Sequence, residues 1–383
     1  MAKSRKKVAK HNKTIRIRGL NLKLSTSGLL LSLTAVLAIV TIVLNYNHIF
    51  KKQDSSKINP VSIGTLTDYC QQKTTVTYSC YKKELTDLVN QKGPEYAMAL
   101  LKQQYDKNNY VKTECHQLTH TVGRAAYDRY QNLADTYVHG DYFCASGYYH
   151  GASEEIIAKK GADYMTKDPE KICATFAQKE RYMLNHYNCV HGIGHGLMEA
   201  TDSDLFASLK ICDKLADRWE SDSCDSGVFM QNIMDVESPD ETADHTSKYL
   251  RPDQPMYPCT AVDDRYKVGC YIIQSSYALT VLNYDFVKVF GLCAQAGPFY
   301  STVCYGSIGR DASGYHNLDQ QYTVDTCNLG QNYEAVVNCI EGAAKNIIYS
   351  YHSDKQAYEF CSAVKENYRF DCRKTVRDYY ATF

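Results

Sequence analysis

The sequence predicts an all-α protein: disulfide-stapled helical hairpins, stacked as an α-solenoid, behind a single N-terminal transmembrane helix. Three observations predict it. An apolar run lies near the N-terminus, sixteen cysteines recur at a nearly fixed interval, and helix-start signals fall ahead of them. A chain of 383 residues suits two or three average domains or one repeat array. With 44% hydrophobic and 22% charged residues, most of it is expected to fold.

The membrane element comes first. Residues 1–28 carry nine Lys or Arg and no Asp or Glu, so the formal net charge of zero hides a basic tail and an acidic remainder. Net neutrality argues against a dedicated nucleic-acid binder. From Leu29 to Leu44 there is no charge, and only Ser32, Thr34 and Thr41 are polar. The 20 residues from Ser27 to Tyr46, at about 1.5 Å each, cover a hydrocarbon core of about 30 Å. Positive charge on the N-terminal side puts residues 1–26 in the cytoplasm and everything after residue 46 outside. The run ends in Asn45-Tyr46-Asn47-His48-Ile49-Phe50-Lys51, a poor signal-peptidase site, so residues 27–46 read as an uncleaved anchor. Residues 47–64 read as a polar tether and 65–383 as an extracytoplasmic domain of a single-pass cell-membrane protein.

The cysteines agree with that topology. None lies before residue 70, and reducing compartments rarely keep so many thiols. From Cys173 onward they fall into pairs with gaps of 16, 12, 11, 11, 12 and 11 residues. The second members, Cys189, Cys224, Cys270, Cys304, Cys339 and Cys372, are spaced by 35, 46, 34, 35 and 33 residues. An interval near 34 is the length of a two-helix repeat, and the 46-residue step holds an insertion from Glu237 to Pro258. One bridge per hairpin is the simplest connectivity: Cys173–Cys189, Cys212–Cys224, Cys259–Cys270, Cys293–Cys304, Cys327–Cys339 and Cys361–Cys372. Cys70–Cys80 and Cys115–Cys144 complete eight. Closing loops this short contributes about 2–3 kcal/mol each in the chain-entropy account.

Helix signals fit the pairs. Asp168-Pro169 reads as an N-cap with Pro at the first helical position, and Ser203 as another N-cap. Val289, Phe290 and Cys293 follow helical spacing, as do Ala335, Val336, Cys339, Ile340 and Ala343. Each first helix is expected to end near its first Cys and each second helix to begin near its second. A small residue follows soon after, as at Gly147, Gly192, Gly227, Gly306 and Gly342, which implies close helix-to-helix contact. The acidic stretch from Asp213 to Asp225 reads as a solvated turn, and Asp235 to Asp244 as an exposed inserted loop. The 33 Tyr read as packing and rim residues.

From about residue 95 to residue 383 this arrangement resembles cysteine-rich relatives of the tetratricopeptide-type helical repeats, which also bolt each hairpin with one disulfide. The resemblance implies a fold and a habit of binding a peptide or protein. It carries over no catalytic residue.

Several chemistries lack their motifs. There is no C-x-x-C, no phosphate-binding G-x-x-x-x-G-K-[ST], no G-x-S-x-G and no H-E-x-x-H. The run Gly192-Ile193-Gly194-His195-Gly196 has Leu197 where a dinucleotide fingerprint needs Gly.

One constellation remains. Seven of the 12 His fall between residues 116 and 195. Counted from the leading Cys, His150 and Glu154 occupy the same places after Cys144 as His195 and Glu199 after Cys189, with His191 alongside. After Cys115 come His116 and His120, and after Cys224 the matching place holds Met230. Residues four apart share a helix face, and equivalent positions of stacked repeats lie side by side. The candidate metal ligands are therefore His116, His120, His150, His191 and His195. Glu154 and Glu199 are the candidate bases on a metal-bound water. Imidazole and carboxylate suit a divalent transition metal such as zinc, copper or iron, and a Met230 thioether would favour copper. Two functional readings follow: a metal-binding protein or metal-dependent enzyme, or a surface-displayed peptide- or protein-binding module with structural histidines. Neither involves nucleic acid.

Overall fold

The computed structural model describes residues 70, 78–167, 169–177, 184–237, 246–315 and 318–381. They belong to one compact unit bounded by Ile63–Phe383. Among them the regular structure is helical throughout, with no strand. None of these helices is long and apolar enough to cross a membrane. The expected span 27–46, with the basic tail 1–26 and the tether 47–64, lies outside the described residues.

The chain opens with α1 (Tyr78–Lys92), α2 (Pro94–Tyr105) and α3 (Asn109–Thr113). Gly93 turns the chain at φ 93° and Pro94 starts α2, where its missing N–H costs nothing. Asn108 caps α3 through the backbone N–H groups of Tyr110 and Val111. Then come α4 (Cys115–Tyr130), α5 (Leu133–Val138), α6 (Gly147–Lys160), α7 (Ala162–Lys167), α8 (Pro169–Cys173) and α9 (Leu184–Ala200). The later hairpins are α10 (Leu205–Cys212) with α11 (Arg218–Glu237), then α12 (Asp264–Val281) after the insertion, and α13 (Phe286–Cys293) with α14 (Pro298–Tyr315). The last are α15 (Gln320–Cys327) with α16 (Tyr333–Tyr351) and α17 (Lys355–Ala363) with α18 (Glu366–Tyr380).

The helices form two layers. The long helices pack one on the next in chain order: α4 on α6, α6 on α9, α9 on α11, α11 on α12, α12 on α14, α14 on α16 and α16 on α18. Short helices cover the seams, as α10 does between α9 and α11 and α15 between α14 and α16. All eight expected disulfides are present, with Cα separations of 5.4–5.9 Å. No cysteine is free. The bridges fit an oxidising, extracytoplasmic environment.

Four expectations are corrected. The second helices start earlier than expected: Cys224, Cys270, Cys304, Cys339 and Cys372 are each the seventh residue of their helix. The bridge therefore grips the helix nearly two turns in, deep in the seam. The cap of α10 is Asp204, whose carboxylate accepts from the Ala207 N–H, while Ser203 sits just outside in the left-handed region. The same role falls to Asp285 and Asp319 on α13 and α15. The acidic stretch 213–225 is not a solvated turn throughout, because residues from Arg218 onward are helical and Asp225 is buried. Asp235 belongs to α11 rather than to a loop. Residues 238–245 and Asp168 lie outside the described residues.

The row of repeats also curves back on itself. The Tyr349 hydroxyl, near the end of α16, donates to Asn188 Oδ1 of α9 at 2.7 Å. The rings of Tyr142 and His352 lie 3.8 Å apart.

Candidate metal centre

The three helices that carry the histidines are pressed together. A Cβ at Gly151 of α6 would land on the His120 carbonyl of α4, and one at Gly227 of α11 on the His191 carbonyl of α9. Glycine at these two positions lets backbone meet backbone. Neighbouring imidazoles then reach each other instead of being held apart by bulk. Nearly every residue of α6 from Gly147 to Ile157, and of α9 from Asn188 to Met198, is buried. Their polar side chains therefore need partners, since burying an unpaired polar group costs free energy.

The five expected histidines do come together. Ring centroids of consecutive members lie 4.6 Å (His116–His120), 5.6 Å (His120–His150), 4.7 Å (His150–His191) and 4.9 Å (His191–His195) apart. Four of them are buried, and His116 is half-buried.

The outer nitrogens are fixed one by one. His116 Nδ1 donates to the Cys144 carbonyl at 2.9 Å. His120 Nδ1 donates to Glu154 Oε2 at 3.1 Å. His191 Nδ1 donates to Ser226 Oγ at 2.9 Å, whose own hydroxyl is committed to the Ser223 carbonyl at 2.7 Å. His195 Nδ1 donates to Gln231 Oε1 at 2.7 Å, and Gln231 is oriented by its amide N–H to Asp235 Oδ1 at 2.7 Å. In the neutral form of each ring these acceptors take the proton on Nδ1, which leaves Nε2 as a bare lone pair.

The bare nitrogens then meet in pairs. His116 Nε2 and His120 Nε2 are 3.1 Å apart, and His191 Nε2 and His195 Nε2 are 3.2 Å apart. Two lone pairs at that distance repel unless a positive centre joins them. A proton is disfavoured on His116, His191 and His195. Burial and the neighbouring His120 push His116 down to about 3. Burial, with His120 adding to it, pushes His195 down to about 4. His191 and His150 lie well below the usual range for the same reasons, burial first and adjacent imidazoles second. Nitrogens bound tetrahedrally at 2.0–2.1 Å would be about 3.3–3.4 Å apart, close to the spacing seen.

His150 sits between the pairs with the opposite polarity. Its Nε2 faces Asn188 Oδ1 at 3.3 Å, and its buried Nδ1 has no hydrogen-bond partner. Two triads bring one nitrogen from each member within 4.8 Å of one another: His116, His120, His150 and His150, His191, His195.

The carboxylates are placed differently from the expected bases. Glu154 joins neither triad. It accepts from His120 and from Arg124, at 3.0 Å from Nε and 2.6 Å from Nη2. Burial alone would raise its carboxyl, but Arg124 and then His120 outweigh that and hold it well below the usual range. Glu199 is exposed and meets Arg124 Nη2 at 2.6 Å. Met230 packs against the apolar core, and the next residue, Gln231, is the one that reaches His195. Arg124, Gln231, Ser226, Asn188 and Tyr349 were not expected from the sequence. Arg124 carried a usable signal, since it lies four residues after His120 on the same helix.

A cavity of about 780 Å³ adjoins the cluster, with His120, Arg124, Glu154, Glu199, Gln231 and Asp235 in its wall. Its lining is crowded with carboxylates. Glu155 is pushed up to about 7 by burial, which Arg124 opposes and Asp128 reinforces.

Compared with known protein families, curated proteins and solved structures, the chain matches none.

Proposed function

We propose that this chain is a membrane-anchored, extracytoplasmic helical-repeat protein that holds a transition metal, such as zinc, copper or iron, on the imidazoles of His116, His120, His150, His191 and His195. The observation that carries the reading is the facing of Nε2 atoms in pairs at 3.1 and 3.2 Å, with every Nδ1 behind them already committed. Imidazole is a ligand type shared by these metals. Outer-side acceptors that fix the ring and its tautomer are the usual support of a histidine ligand. Glu154 serves here as such a support for His120, with Arg124 balancing its charge. It is too weakly basic to take a proton from bound water.

A catalytic use is supported by the cavity beside His120. An ion held by three imidazoles keeps a position open for water or substrate. Of the two carboxylates expected as bases, Glu199, exposed on the cavity wall, is the one left for proton transfer. In this reading residues 27–46 tether the domain, and the stacked hairpins form an α-solenoid that presents the cavity outside the membrane.

The test is metal analysis of the full chain, purified oxidised and loaded in turn with zinc, copper and iron. Metal should be retained through dialysis, and His195→Ala should lower it. No retained metal under any loading contradicts the proposal and leaves the histidines a structural role in a binding module.

A further inference from the structure

We infer that the imidazole cluster is a two-ion centre: one ion lies between Nε2 of His116 and His120, the other between Nε2 of His191 and His195, and His150 offers its one free lone pair, on Nδ1, to one of them. The inference rests on the metal-binding reading and adds a count to it.

Four observations carry it. First, the five rings divide into two triads with only His150 in common. Nitrogens around one ion at 2.0–2.1 Å can be no more than about 4.2 Å apart. Among the described residues no group of nitrogens within 4.8 Å of one another takes in both pairs, so one ion does not collect all five.

Second, each pair has its own support from a different part of the fold. His116 and His120 are anchored by the Cys144 carbonyl and Glu154, from the α4–α6 side. His191 and His195 are anchored by Ser226 and Gln231 of α11. Two independently oriented pairs are what two ions need, and one ion would need only one of them.

Third, the two Nε2 pairs have the same geometry. Filling one pair leaves the other, at 3.1 or 3.2 Å, with the same spacing for an ion and none in it. Fourth, the His150 ring adjoins both pairs, and its buried Nδ1 has no hydrogen-bond partner, so a third imidazole is at hand for one of the ions.

Imidazole ligands bring no negative charge, and Arg124 offsets the charge of Glu154. Two ions therefore need an anion from solvent to lower the charge between them. Two-metal sites use this arrangement to clamp an oxygen ligand from both sides.

The experiment counts ions in the full chain after loading with zinc and exhaustive dialysis. Two zinc per chain are expected. His116→Ala and His191→Ala should each retain one, and the double variant none. One zinc per chain overturns the two-ion inference and leaves the metal-binding reading standing. No zinc, copper or iron overturns that reading itself. Because a buried His→Ala change can unfold the chain, a second measurement uses the unaltered protein loaded with Cu(II). Neighbouring ions couple magnetically, so the paramagnetic resonance signal should integrate to well under the copper bound. A signal equal to all the bound copper overturns the inference.

Discussion

At the scale of single residues, the site depends on which nitrogen of each imidazole is tied down. The sequence shows this only in part. Spacing of four residues put His116 with His120 and His191 with His195, because that spacing is a property of one helix. It did not reveal Gln231 or Ser226, because those contacts cross between helices and depend on how the helices seat. The geometry makes Gln231 a positioning residue for His195. Gln231→Leu keeps the volume and removes the acceptor, so affinity for the ion should fall by about 10–100-fold, measured by competition with a chelator. Affinity unchanged within twofold would contradict that role. A separate residue contributes to the pH response of the fold. Burial pushes Asp225 up to about 8, with Asp213 and Asp222 adding to the effect and Arg218 and Arg265 opposing it. Its Oδ1 has no hydrogen-bond partner. A carboxyl raised in the folded state stabilises it fully below its ordinary value near 3.9, and that stability is lost as pH rises through about 8. Asp225→Asn should flatten this slope, read from urea midpoints at pH 5 and pH 9. An unchanged slope would show that other groups set it.

At the scale of elements, the cysteines were the most legible feature. A covalent pair near a fixed interval leaves few ways to fold two helices, and all eight bridges came out as expected. Boundaries were less legible. The second helices begin about six residues before their Cys, because that Cys must face the seam while the helix starts outside it. Caps were assigned to the wrong neighbour at Ser203 because Ser and Asp both cap well. Asp204, Asp285 and Asp319 share one offset from Cys212, Cys293 and Cys327, which is the repeat's own signal. The recurrent glycines did mark close packing. Gly227→Ala would gain about 1 kcal/mol of helix propensity, but its Cβ meets the His191 carbonyl of α9. Overpacking of this kind costs about 1–3 kcal/mol. The variant should therefore be destabilised and should bind the ion more weakly, as read from a denaturant midpoint and a metal titration. A more stable variant with full affinity would mean that α9 and α11 separate easily.

At the scale of the whole molecule, the curvature of the repeat row was not legible at all. Tyr349 meets Asn188 across 161 residues, and no local pattern encodes that closure. It matters to the site because Asn188 also faces His150, so the last third of the chain braces the middle imidazole. The division of labour is then plain: disulfides hold each hairpin, glycines bring the hairpins together, and the fold-back sets the middle of the cluster. The central claim is that the protein's own ligands to metal are imidazole nitrogens, since every cysteine is already in a bridge. X-ray absorption at the metal edge of the zinc-loaded full chain tests it most directly. The account predicts a first shell of nitrogen or oxygen at about 2.0–2.1 Å with the multiple scattering of imidazole rings, and no sulfur shell at about 2.3 Å. A sulfur shell, or a first shell without imidazole scattering, would contradict it.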